Sequence, residues 1–143
     1  MNLSTMLFSF AGRINRARYW LALLAAGVAA GMLVVLGIAV GSGRTYLAIT
    51  IAIAVFLALA WINLAVPCKR LHDRDKSAWW LLLFYVVPGI LPALGLGNNS
   101  ANVILSLVGA GISIWAFVEI GCLRGTPGPN SYGSDPLQVQ GTA

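Results

Sequence analysis

Between two long apolar runs stands the polar stretch Pro67-Cys-Lys-Arg-Leu-His-Asp-Arg-Asp-Lys-Ser-Ala-Trp-Trp80. It holds Lys69, Arg70, Arg74 and Lys76, two of the four acids (Asp73 and Asp75), and the only histidine, His72. Two kinds of chemistry are open to such a set. A metal or acid–base centre could use His72 with Asp73. One histidine beside carboxylates is a poor transition-metal site, however, and the adjacent cations compete for those carboxylates. Phosphate binding is the stronger reading. Ser77 is placed to N-cap a following helix, whose free amides and positive dipole end, facing Arg70 and Arg74, would seat an anionic headgroup. The same cations, with Arg13, Arg16 and Arg124, have a plainer role open to them, fixing topology and snorkelling to headgroups.

A second candidate is Glu119, the one acid inside an apolar run. An intramembrane acid can titrate in a proton-coupled carrier. It lies about one helical turn from Arg124, and structural pairing with Arg124, Lys69 or Asn63 is the favoured reading. Asn130, Tyr132 and Asp135 near the C-terminus are either exposed turn residues or groups that fold back on the basic stretch, Asp135 being the natural partner for a surplus arginine. No serine elbow, phosphate-cradling glycine loop or HExxH pattern occurs. An enzyme therefore has no motif beneath it, and no cofactor or metal is implied.

The elements that must position these residues follow from composition. The chain has 143 residues, 59% hydrophobic and only 9% charged, with a mean hydropathy of +0.84. A soluble domain of this size could not bury that much apolar surface, so the expected solvent is lipid. The net charge of +5 sits at the ends of apolar runs, where orientation signals and headgroups use it, which argues against nucleic acid.

Four runs predict four membrane-spanning helices, at about residues 19–40, 46–66, 78–97 and 103–123, in a single domain with a tail over 124–143. Leu3, Met6, Leu7 and Phe10 form an i, i+3, i+4, i+7 stripe that predicts a short interfacial helix before them. Pro67 marks the end of the second span or a bend in it. Pro88, Gly89 and Pro92 predict a kinked or unwound third span, tolerable only where another helix covers it. Gly27 with Gly31, and Gly37 with Gly41, have the spacing of close helix packing in lipid. Lys and Arg number eight in the N-terminal, second-loop and tail segments against one in the other two loops, which predicts cytoplasmic termini and a cytoplasmic polar cap. Cys68 and Cys122 then lie on the reducing side, as free thiols.

Three pieces together resemble domain-of-unknown-function family 805, the YhaH-like small bacterial inner-membrane proteins. They are Phe10-Ala-Gly-Arg-Ile-Asn-Arg-Ala-Arg-Tyr-Trp20, Lys69-Arg-Leu-His-Asp-Arg-Asp-Lys-Ser-Ala-Trp-Trp80 and Gly125-Thr-Pro-Gly-Pro-Asn-Ser-Tyr-Gly-Ser-Asp-Pro136. The sequence departs from the family's pattern at Arg18, Asp75 and Ala78. The resemblance implies a four-helix protein of the bacterial inner membrane and supplies no activity.

The leading expectation is a non-enzymatic, multi-pass inner-membrane component that binds anionic lipid or a partner protein through its basic cap. The alternative is a subunit of a small proton-coupled transporter or exporter using Glu119. Membrane lipids are the expected partners, with a second copy of the chain or another membrane protein left open.

Overall fold

The computed structural model describes residues 3–41, 45–95 and 99–138. Over these it is helical, without a β-strand, and carries one isolated bridge between Asn130 and Gly133. The helices are α1 (Leu3–Phe8), α2 (Arg16–Gly41), α3 (Thr45–Asp73), α4 (Leu82–Gly95) and α5 (Asn99–Cys122). At 1.5 Å per residue, the 26 residues of α2 and the 29 of α3 extend over roughly 39 and 44 Å, more than a hydrocarbon core of about 30 Å. Among the described residues α2, α3 and α5 are long and apolar enough to cross a membrane, and α4 is a shorter apolar helix. The turn expected around Arg44, the end of the expected third span at Gly97, Asn98, and residues 139–143 lie outside the described residues.

The second helix departs from expectation at Pro67. The ring neither ends the helix nor isolates the polar stretch in a loop, because α3 runs on to Asp73 with Pro67 inside it. Proline removes one backbone donor. Beyond it the helix is also tied to other elements by the side chains of Lys69 and Arg70. Lys69, Arg70, His72 and Asp73 are thus fixed on a helix and buried.

Helix α4 changes geometry along its length: Leu82–Val86 is π-helical, Val87–Ile90 is α-helical and Leu91–Gly95 is 3₁₀. The Val87 amide reaches back five residues to the Leu82 carbonyl, in the register just before Pro88. Pro92 has no N–H to offer the Pro88 carbonyl. That carbonyl lies against Gly109 of α5, where any Cβ would stand 3.2 Å from it. Trp80, Phe84 and Trp115 then meet in tilted and edge-on pairs with centroids 5.2–5.6 Å apart, locking α4 to α5.

The small-residue spacing on α2 is used only in part. A Cβ at Gly37 would stand 3.5 Å from Ile51 of α3, whereas one at Gly27 or Gly31 would meet nothing within 4 Å. Much of the outer surface of α2, α3 and α5 is exposed leucine, isoleucine, valine and phenylalanine. The buried cluster, including Ile14, Tyr19, Ile62, Val66, Leu71, Phe84 and Ile120, gathers towards the end where the start of α2 meets the ends of α3 and α5. Lipid tails are as apolar as leucine, so burial gives little drive for helix association there, and packing and polar contacts must hold the bundle. The polar contacts concentrate at that same end.

Candidate functional site: a clamped polar cap

At the centre of the cap, Asp73 lies between two arginines. Arg13 Nε donates to Asp73 Oδ1 at 3.1 Å, and Arg70 Nη1 donates to Oδ2. All three side chains are buried. Gly12, at φ +92°, makes the turn before Arg13 in a conformation that favours glycine. A buried carboxylate facing two guanidiniums needs every remaining donor satisfied, and the structure does so with backbone. Arg13 donates to the carbonyls of Thr126 and Gly128 (each 2.7 Å) and Gly133 (3.1 Å). Arg70 donates to those of Ile120 (2.9 Å) and Leu123.

These contacts belong to a wider pattern. A helix ends with carbonyls that have no intrahelical partner, and lipid supplies none. At the end of α5, the Gly121 carbonyl accepts from the Trp20 indole at 3.0 Å, the Cys122 carbonyl from Arg16 at 3.4 Å, and the Arg124 carbonyl from Arg74 at 2.7 Å. At the end of α1, Lys69 Nζ donates to the Thr5 carbonyl at 2.6 Å and also to that of Met6, while the Trp61 indole donates to that of Phe8 at 3.0 Å. Cations at helix C-termini also oppose the negative end of the dipole. Much of the basic stretch therefore works as a set of helix caps.

This changes the expected anion seat. Arg70 is wholly buried, with its donors directed at Asp73 and the end of α5. Arg74 is partly buried and holds Glu119 and the Arg124 carbonyl. Ser77 does not cap α4 with its hydroxyl: its carbonyl accepts from the Trp80 amide at 3.3 Å, and α4 begins farther on. Glu119 is paired, but not by Arg124, Lys69 or Asn63. Arg74 Nε lies 3.0 Å and Lys76 Nζ 3.8 Å from its Oε1, and its side chain is 7% exposed. Lys76 also stands 4.1 Å over the Trp80 ring. Asn63 is exposed and bonds back to the Leu59 carbonyl within its own helix.

The tail folds back onto the island. Thr126 donates through its amide (2.8 Å) and hydroxyl (3.1 Å) to the Asp73 carbonyl, which caps the end of α3. Asn130 Nδ2 donates to the His72 carbonyl at 2.8 Å, and the Tyr132 ring stacks on His72 with centroids 3.9 Å apart and planes 5° from parallel. Asp135 departs from its expected role as an arginine's partner. It accepts the amides of Leu137 (2.8 Å) and Gly128 (3.0 Å), which hold its carboxyl below the usual carboxylate range. His72 Nε2 lies 3.6 Å from Cys68 Sγ, and its Nδ1 is buried without a hydrogen bond. Cys68 and Cys122 are free thiols, the first buried and the second exposed. Among the described residues no three His, Cys, Asp or Glu side chains come together as metal ligands.

Sequence reasoning missed several members of the cap. Trp20 and Trp61 looked like interface aromatics, yet their indole N–H groups close helix ends. Thr126 and Gly125 looked like coil. Gly125 presses so closely on Asp73 that a Cβ there would overlap Oδ2 and lie 2.5 Å from Cγ. Arg16, Arg18 and Arg124 are exposed and without an acid partner among the described residues, Arg16 reaching only the Cys122 carbonyl. Asn15, Arg16, Asp73, Arg124, Gly125 and Leu137 line a cleft of about 180 Å³ between the start of α2 and the tail.

Fold and cap together define a helical membrane protein whose apolar helices are fastened at one end by ion pairs and side-chain caps. The chain belongs to the family described as "Protein of unknown function (DUF805)", whose model matches residues 7–134. It is 33% identical to the Uncharacterized protein YiiR of Escherichia coli (strain K12), over 98% of this chain and 94% of that protein. It is similar also to two proteins of that strain named as inner membrane proteins. These are YhaI, 30% identical over 89% of this chain and 85% of that one, and YhaH, 33% identical over 89% and 86%. No solved structure matches the chain.

Proposed function

We propose that the protein is a non-enzymatic component of the bacterial inner membrane that binds anionic headgroups at the rim of a cytoplasmic cap. The observation that carries this reading is the division among the cations. Arg13, Lys69, Arg70, Arg74 and Lys76 are buried or half-buried against protein carbonyls or acids, while Arg16, Arg18 and Arg124 are exposed, Arg16 with one long 3.4 Å contact to the Cys122 carbonyl, and Arg16 and Arg124 line the cleft. Asp73 also lines that cleft, but its charge is answered by Arg13 and Arg70, so the field towards a phosphate is positive. Trp20 and Trp79, near the starts of α2 and α4, are both exposed, as the aromatic rings of an interface belt would be. Native mass spectrometry of protein released from its own membrane tests this. Arg16→Gln with Arg124→Gln should lose retained anionic lipid at least about tenfold, since each basic contact near the surface contributes about 1 kcal/mol. Retention equal to that of the unaltered protein would return these arginines to topology.

The reading takes α4 as a fourth, irregular crossing and places both termini in the cytoplasm. Support comes from the eight-to-one division of Lys and Arg and from the inner-membrane names of YhaI and YhaH. A reporter fused after Ala143 should be active only if it is a cytoplasmic reporter. Activity of a periplasmic reporter there would overturn the orientation.

A further inference from the structure

Away from the cap's ion pairs, a cavity of about 370 Å³ opens between α2, α4 and α5, lined among others by Tyr19, Phe84, Tyr85, Pro88, Ser113 and Phe117. Two features converge on it. Both π-helical segments contribute walls, Phe84 and Tyr85 from Leu82–Val86 and Phe117 from Phe117–Cys122. Such segments are costly and recur at functional sites. The cavity also holds two phenol hydroxyls, of Tyr19 and Tyr85, with no hydrogen-bond partner among the described residues. Tyr19 is only 7% exposed and Tyr85 46%, and neither hydroxyl is sealed off from the cavity, so both are free to donate to a molecule that enters it. Ser113, the remaining hydroxyl, already donates to the Gly109 carbonyl at 3.0 Å.

A ligand that satisfies this site must bring acceptors for two neutral donors and an apolar body for aromatic walls. It need not bring charge, because none of the described residues that line the cavity is charged, and Arg70 has its donors taken by Asp73, Ile120 and Leu123. We propose that the cavity binds a neutral, lipid-soluble molecule through its carbonyl oxygens, with Tyr19 and Tyr85 as the donors. Two sources share that chemistry, the ring carbonyls of a quinone and the ester carbonyls of a glycerolipid. Tyr19 lies one turn into α2, close to the cap end, a depth both can reach. The site is separate from the arginine rim, and neither reading depends on the other.

The test compares the unaltered protein with Tyr19→Phe/Tyr85→Phe, which keeps both rings and removes only the hydroxyls, and with Ser113→Leu, which fills the cavity from α5. A short-chain benzoquinone titrated into delipidated protein is followed by quenching of tryptophan, since Trp20 and Trp115 stand beside Phe117 and Phe84. Native mass spectrometry after reconstitution in phosphatidylethanolamine reads the ester source. Binding of either ligand that weakens about tenfold or more in the double phenylalanine variant, as loss of two hydrogen bonds predicts, and also in Ser113→Leu, supports the proposal and identifies the source. Binding of neither ligand, or binding that survives in either variant, overturns it.

Discussion

Asp73→Asn is expected to lower stability by about 3–5 kcal/mol, the range for breaking a buried ion pair from one side. The substitution leaves Arg13 and Arg70 buried and close together with no opposing charge. An asparagine oxygen can still accept one hydrogen bond, but its amide group would point a donor at the second guanidinium. The loss should appear as a large fall in the melting temperature of the detergent-solubilised protein and in its accumulation in the membrane. Asp75→Asn supplies the control. Asp75 is exposed and accepts only the Ser131 amide at 3.3 Å, so its replacement should shift stability by no more than about 0.5 kcal/mol. Equal melting temperatures for the two variants would show that Asp73 does not hold the cap.

Removing a residue on the other side of the same network has a different physical meaning. Arg70 joins α3 to the end of α5, Arg13 joins the segment before α2 to the tail, and Lys69 joins α3 to α1. Each reaches a carbonyl that lipid would leave unpaired. A bundle whose exposed faces are leucine, isoleucine and valine gains little from burying more of them in lipid. The specificity of its assembly therefore has to come from such directional contacts, together with close approaches such as Gly109 on Pro88. The density of cations beside the second apolar run follows from that need before any ligand is considered.

The apolar runs were legible because hydrophobicity and length are local properties of sequence. They located α2, α3 and α5 to within a few residues at most boundaries, and the interruptions at Pro88 and Pro92 marked where α4 changes geometry. Of the two readings of Pro67, the end of the span failed, because the proline's cost to a helix is local while the contacts that hold the helix beyond it, Arg70 to Ile120 and Lys69 to Thr5, join residues 50 and 64 positions apart. Glu119 was legible as an acid needing a partner. Its partners were not, since Arg74 and Lys76 come within reach only once α3 extends past Pro67 and the chain turns at Asp75, φ 55°. The tail was least legible. Its glycine, proline and asparagine content describes turns, and nothing local says that Arg13 will bind three of their carbonyls.

Gly125→Ala, a single added methyl group, is expected to open the cap. A Cβ at Gly125 would occupy the space of Asp73 Oδ2 and stand 2.8 Å from Oδ1. A flexible side chain could swing away, but this carboxylate is fixed by Arg13 and Arg70 and cannot move without breaking one of the pairs. The backbone is therefore the part that yields. Residue 125 adjoins Thr126, whose amide and hydroxyl bond the Asp73 carbonyl and whose own carbonyl takes an Arg13 donor. Overpacking of this kind costs about 1–3 kcal/mol, and here it falls on the contacts that hold the tail. The measurable consequence is proteolysis: residues 126–138 should be cleaved at least about tenfold faster in Gly125→Ala than in the unaltered protein, with α2, α3 and α5 still protected, because cleavage follows the population of the open form. Gly128→Ala gives the comparison. Its φ of +77° makes an alanine there strained, by about 1–2 kcal/mol, but no atom blocks the added methyl group. Strain without a clash leaves Asp73 between its two arginines, so the tail of Gly128→Ala should be cut more slowly than that of Gly125→Ala. The reverse order would mean that turn geometry, and not the approach of Gly125 to the ion pairs, keeps the tail closed.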